Sequence, residues 1–170
     1  VCTVKGAVSV ETLAKNGTFQ AVCYDHAARR FVLRNATASL AGRKDALRLH
    51  TDNGAFEMTA DQLVILQSGQ ARAAAELQPG ARLSGFALKP QPDFRLTSGD
   101  SGGDHFDLDH LTTADCAVAN WYPVPSVEAL GEADVYKVDL AAGDQSNLLI
   151  WRMGPGGGIG IAIVAQQDHK

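Results

Sequence analysis

Three groups of side chains in this sequence could carry chemistry. The first is the thiols, Cys2, Cys23 and Cys116. Thiolate is the reactive form, and a free cysteine with a pKa of ~8.5 is partly ionised at neutral pH. The second is Ser101 within Gly99-Asp100-Ser101-Gly102-Gly103. A nucleophilic serine needs a histidine base with a carboxylate behind it, and the only histidines upstream are His26 and His50. The same letters also make a flexible linker, because glycine imposes little backbone restriction. The third is Asp104-His105-Phe106-Asp107-Leu108-Asp109-His110, with five side chains able to ligate a metal. In an extended segment His105, Asp107 and Asp109 share a face, a donor set that suits zinc or another divalent ion. The spacing matches no defined site, so neither metal nor cofactor is expected. Gly156-Gly157-Gly158-Ile159-Gly160 lacks the helix and lysine of a phosphate-binding loop.

The elements that would position these groups are mostly strands. Alternation or apolar character predicts strands at Thr18 to Tyr24, Arg30 to Leu33, Ala46 to Thr51, Ala55 to Thr59 and Gln62 to Leu66. Further strands are expected at Cys116 to Tyr122, Val135 to Leu140, Leu148 to Trp151 and Ile159 to Val164. Asp52-Asn53-Gly54 reads as a hairpin turn, since Asn-Gly accepts positive φ at little cost. Two short helices are expected, at Ser9 to Lys15 and Ala71 to Leu77. Neither is long enough for a βαβ crossover, so a dinucleotide-binding α/β fold is excluded. Residues 89–111, rich in Gly, Pro, Ser and Asp, read as a flexible linker or insertion between two strand-rich halves. Cys23 and Cys116 fall on alternating strands and are expected to pack in the core.

The order of several motifs carries a resemblance. Cys2-Thr3-Val4 is followed by the short helix, Gly17 and a strand. Next come Gly54-Ala55-Phe56-Glu57-Met58-Thr59-Ala60-Asp61-Gln62-Leu63-Val64-Ile65 and Ala73-Ala74-Ala75-Glu76-Leu77-Gln78-Pro79-Gly80-Ala81-Arg82-Leu83. Gly131-Glu132-Ala133-Asp134-Val135-Tyr136-Lys137-Val138-Asp139-Leu140 and Ser146-Asn147-Leu148 stand late in the chain. This succession resembles the Hint domain of inteins, bacterial intein-like domains and hedgehog autoprocessing domains, over nearly the whole of residues 1–170. The resemblance implies a single all-β domain: a horseshoe of many short strands with pseudo-twofold halves, both chain ends meeting at one site.

By the same resemblance, Cys2 would attack the Val1 carbonyl in an N-to-S acyl shift, giving a thioester. Thr59 would orient the amide, as the first residue of the family's Thr-x-x-His motif. Gln62 stands where that motif has histidine, and an amide has no exchangeable proton to give near neutral pH. Lys137 stands where the family favours Asp, and Asp139, two residues on, faces the same side of its strand and is the candidate substitute. His50 is the first candidate for a relocated proton donor. The family's terminal His-Asn is absent from Gln167-Asp168-His169-Lys170, so full splicing is not expected. The expected function is intein-like self-processing, impaired and short of complete splicing. The alternative is a degenerate Hint domain serving as a structural or interaction module. A third reading, a chymotrypsin-like serine protease, takes Gly99 to Gly103 as its nucleophile motif, but that family packs two six-stranded barrels in a longer chain.

Composition sets the remaining bounds. The chain has 170 residues, 45% of them hydrophobic and 20% charged, enough for one domain with a real core. A net charge of -4 excludes nucleic-acid binding through basicity. No apolar run reaches the ~18 residues of a membrane span. Three cysteines exclude a dense disulfide scaffold. The expected partners are the domain's own flanking polypeptide segments, with no nucleic acid or membrane, in a monomer. A cytoplasmic location is favoured, as for an intein within a host enzyme.

Overall fold

Strands β1 (Cys2–Thr3) and β2 (Gly6–Ala7) form a small hairpin with Cys2 opposite Ala7. The Val1 and Val8 backbones exchange two hydrogen bonds of 2.9 Å and extend this ladder by one pair. The computed structural model describes residues 1–3, 6–25, 27–28, 30–52, 54–88, 97–98, 104–105, 120–124, 126–141, 146–154 and 157–165.

Helix α1 (Val10–Asn16) starts where the sequence places it. The Ser9 hydroxyl accepts from the Thr12 amide at 3.2 Å, and Gly17 ends the helix at φ 78°. Strands β3 (Thr18–Asp25) and β4 (Arg30–Thr51) follow, paired antiparallel. Arg30 to Leu33 and Ala46 to Thr51, expected as separate strands, are the two ends of this one 22-residue strand. Its partner β12 (Ser126–Leu140) also extends far upstream of the expected Val135. Residues 39–45 of β4 and 126–132 of β12 are exposed. Their few large apolar side chains, Leu40, Val127 and Leu130, stay exposed, so no buried face holds either stretch; the ladder between them holds both extended. Gly131, at φ 78°, sits at one of the two register shifts in this ribbon, a backbone state that glycine adopts without strain.

Strand β5 (Gly54–Thr59) returns along β4 from the expected turn, Gly54 opposite Thr51. Short strands β6 (Leu63–Ile65) and β7 (Ala71–Ala73) pair with each other. The second expected helix, Ala71 to Leu77, is strand β7 followed by one 3₁₀ turn at Ala74–Glu76. Alanine favours helix locally, but the pairing of Ala71 with Ile65 and Ala73 with Leu63 overrides that preference. The remaining strands are β8 (Arg82–Leu88), β9 (Thr97–Ser98), β10 (Asp104–His105), β11 (Asn120–Pro123), β13 (Asn147–Gly154) and β14 (Gly157–Ile163). β9 and β10 pair with each other as a separate two-stranded sheet. Ser101, Asp107, Asp109, His110 and Cys116 lie outside the described residues, as does most of the expected linker at 89–111.

The main sheet runs β11-β8-β14-β13-β3-β1-β2, with β4, β5, β12, β6 and β7 branching from it. It curls around two apolar clusters. One holds Leu13, Leu49, Phe56, Val64, Leu83, Leu148 and Ile161, all buried. The other gathers Tyr24, Phe31 and Phe86, their ring centroids 5.1–5.8 Å apart, with Cys2, Val22, Ile65, Leu149 and Ala162. This is the all-β, curled architecture expected from the sequence.

Candidate functional site

The turn after β5 is built by backbone bonds from three sides. The Gln62 amide donates to the Thr59 carbonyl at 3.1 Å, closing a turn with Ala60 and Asp61 at its tip. The Ala60 amide reaches the Asp45 carbonyl of β4. From the 3₁₀ turn, the Ala74 and Ala75 amides reach the carbonyls of Gln62 and Ala60 at 2.9 and 3.0 Å. Thr59 and Gln62 are thereby held at the wall of a cavity of about 350 Å³. Val1 at the start of β1, Lys137 of β12, and Val164 and Ala165 just beyond β14 line the same cavity.

Gln62 acts there as a strap. Its side-chain amide nitrogen donates to the Leu63 carbonyl and to the Val164 carbonyl, both at 2.9 Å. A primary amide has two N–H donors, so both are committed to backbone. The Val164 amide in turn donates to the Leu63 carbonyl at 2.9 Å. The segment leaving β14 is thus tied to the turn that carries Thr59.

Cys2 takes the opposite side. Successive side chains of a strand point to opposite faces. Val1 packs against the first apolar cluster and lines the cavity, whereas Cys2, 5% exposed, packs into the second among Tyr24, Phe31 and Phe86. Cys2 is not among the residues lining the cavity. The structure therefore brings Thr59 and Gln62 together with Val1, and places the Cys2 side chain across β1 from them.

Asp139 lies opposite Thr37 in the ribbon, with one carboxylate oxygen 3.2 Å from the Lys137 ammonium. Its other oxygen is buried with no hydrogen-bond partner. Lys137, not Asp139, lines the cavity. His50 lies on the wall of an adjoining open depression that Val1 also borders. Its ring nitrogen is 2.9 Å from Glu128, whose carboxyl is held below its ordinary value first by that bond and then by Arg48.

Two participants were not singled out from the sequence. The Asp61 carboxylate takes the Lys44 ammonium at 2.8 Å. Lys44 first, and then the neighbouring Thr59 hydroxyl, hold the Asp61 carboxyl below its ordinary value of 3.8. The readable signal was an Asp at the tip of a four-residue turn that begins with Thr59. The approach of Lys44, from a strand 17 residues earlier, had none. Among the described residues the cavity is lined by Thr59, Lys44 and Lys137, and by no histidine. A hydroxyl can orient a peptide group, and an ammonium can stabilise developing negative charge.

No family model matches this sequence, and no curated protein matches it. Solved structures do. The chain is similar to a DnaB intein from Synechocystis sp. PCC 6803, with TM-score 0.64 and 14% identity, covering 98% of this chain and 94% of that one. It is similar to a DnaX mini intein from Spirulina platensis, with TM-score 0.61 and 13% identity over 96% and 93% of the two chains. A bacterial intein-like domain from Clostridium thermocellum matches with TM-score 0.57 and 11% identity, covering 98% and 93%. The chain has the Hint fold.

Proposed function

We propose that this domain processes the polypeptide of which it is a part, at the cavity bounded by Val1, Thr59, Gln62 and the end of β14. One observation carries the reading: the start of β1, the Thr59–Gln62 turn and the segment leaving β14 converge on one cavity. That convergence suits an intramolecular reaction, in which orientation supplies much of the acceleration. It also extends to this chain the activity that the word intein denotes in the similar structures.

The finer form of this reading is thioester formation at the Val1–Cys2 bond. The Cys2 sulfur bonds to the Val1 carbonyl carbon, the carbon–nitrogen bond breaks, and the Cys2 nitrogen takes a proton. This step requires the sulfur to turn out of the apolar cluster around Phe86. With both Gln62 donors committed to backbone, the proton must come from elsewhere, which supports a slow reaction. His50, which lines the adjoining depression together with Val1, is the imidazole candidate. The second reading is a Hint fold retained as a non-catalytic module, and the burial of Cys2 favours it.

A reporter fused ahead of Val1 separates these readings. Self-processing predicts slow release of the reporter, accelerated by a strong thiol or hydroxylamine, with Cys2→Ala abolishing release. The mass of the released fragment reports which peptide bond broke. Release that persists in Cys2→Ala removes Cys2 as nucleophile. A fusion that stays intact with thiol, in the natural chain and in Gln62→His, establishes the non-catalytic module.

A further inference from the structure

The peptide bond between Val1 and Cys2 lies within a strand ladder, and its carbonyl oxygen already has a donor. The Val8 N–H donates to the Val1 carbonyl at 2.9 Å, and the Val1 nitrogen donates back to the Val8 carbonyl at 2.9 Å. The Val8 backbone is fixed from both sides. Before it, Ala7 stands opposite Cys2 in the β1–β2 hairpin. After it, Ser9 caps α1: its hydroxyl accepts from the Thr12 amide at 3.2 Å, and its carbonyl from the Leu13 amide at 3.1 Å. The Val1 and Val8 side chains both pack against the first apolar cluster. The donor is therefore in place before any reaction and needs no reorganisation when charge arrives.

We propose that the Val8 backbone N–H is the oxyanion donor for reaction at the Val1–Cys2 bond. This rests on the reading that this bond undergoes the N-to-S acyl shift. The Cys2 thiolate adds to the Val1 carbonyl carbon, and the C=O electron pair moves onto the oxygen. Collapse returns that pair and breaks the carbon–nitrogen bond, and in net the thiol proton ends on the Cys2 nitrogen. Negative charge thus builds on the one atom that the Val8 N–H meets. A hydrogen bond to an ionised acceptor is shorter and stronger than one to a neutral carbonyl, so this bond tightens towards the transition state. A donor hydrogen at a carbonyl oxygen prefers to lie near the amide plane. The nucleophile approaches across that plane, so the ladder bond obstructs neither face. Lys44 and Lys137 line the same cavity, but their ammonium groups lie 2.8 and 3.2 Å from the Asp61 and Asp139 carboxylates, which offset the charge they could lend. The thioester keeps the Val1 oxygen, so the same bond goes on holding the acyl group beside the cavity.

The test combines a rate with a readout that does not depend on activity. In a reporter fusion carrying Cys2→Ala, an NMR scalar coupling across the hydrogen bond is expected between the Val8 nitrogen and the Val1 carbonyl carbon. Its absence overturns the proposal. The rate is read in the Cys2 fusion with Val8 replaced by its α-hydroxy acid, which exchanges the N–H for an ester oxygen and keeps the side chain. Thiol-induced release should slow about tenfold, short of the 10²–10³-fold typical of an oxyanion-hole donor, because part of this bond exists in the ground state. The same exchange at Thr12, whose amide bonds the Ser9 hydroxyl, controls for the loss of one backbone bond and should leave the rate within about twofold. Val8→Pro removes the same N–H and keeps the test valid if the ester chain folds poorly. An unchanged rate without the Val8 N–H, or equal slowing at Thr12, overturns the proposal and leaves self-processing standing. A natural fusion that stays intact with thiol overturns both.

Discussion

The turn that carries Thr59 and the β4–β12 ribbon are both joined to β4, yet they are held in different ways. The turn uses few interactions, each directed: three sets of backbone bonds, a glutamine with both donors committed, and one carboxylate paired with Lys44. The ribbon uses a long ladder with exposed charges laid across it. Arg48 meets Glu57 at 2.6 Å and Glu128 at 3.2 Å, and His50 meets the same Glu128 carboxylate. Exposed pairs of that kind contribute little individually. The difference teaches where precision is invested: at the cavity geometry is over-determined, while along the ribbon only extension is required.

The largest expected contrast is in packing. Phe86 is fully buried, and its ring touches Tyr24 and Phe31 behind β1. Phe86→Ala should cost about 3–5 kcal/mol in urea denaturation, from lost burial and the cavity left behind. Leu40 on the ribbon is 59% exposed, and Leu40→Ala should stay within about 0.5 kcal/mol. Equal costs at the two positions would break the distinction between a packed end and a solvated ribbon.

A smaller effect is expected at the strap. Gln62→Ala leaves the Leu63 and Val164 carbonyls without their side-chain donor, a loss of about 1–3 kcal/mol. Hydrogen exchange should localise the change to the Val164 amide and its neighbours in β14, with amides of the ribbon unaffected. Unchanged protection at Val164 would show that backbone pairing alone holds the end of β14.

The smallest effects are electrostatic, and they sharpen the comparison because both regions contain a depressed carboxyl. Asp61 is held below 3.8 chiefly by Lys44, and Glu128 below 4.5 chiefly by His50. A carboxyl depressed in the folded state contributes stability above its unfolded value, and loses that contribution as pH falls through the folded value. Acid should therefore lower the urea midpoint progressively below about pH 4.5, and added salt should shrink the effect. In carboxyl-carbon NMR titrations, Lys44→Ala should move Asp61 up towards 3.8 without moving Glu128. His50→Ala should move Glu128 up towards 4.5 without moving Asp61. Cross-talk between the two would mean that they form one network.

Much of the architecture was readable before any coordinates. Ser9 announced the helix start, and its hydroxyl caps Thr12. The Asp52–Gly54 turn returned β5 along β4, with Phe56 directed inward as its alternation required. The continuous 22-residue strand was not readable, because Ser39 to Asp45 buries no apolar face and is extended only by its partner. The Ala71–Leu77 segment misled for the converse reason: a strong local helix preference was overruled by pairing to β6.

At the site the division is similar. Sequence alone determined that a threonine would end β5, that an amide would stand three residues beyond it, and that the chain would make a curled all-β domain. Those are local properties, written in alternation, turn residues and spacing. Only the tertiary structure decided that Cys2 joins the apolar cluster of Tyr24, Phe31 and Phe86 while Val1 borders the cavity, since which face of β1 meets which cluster depends on how the sheet curls. Only it brought Lys44 to Asp61 and the end of β14 to Gln62. These contacts span 17 and 102 residues of chain, and no short-range pattern encodes a partner that far away.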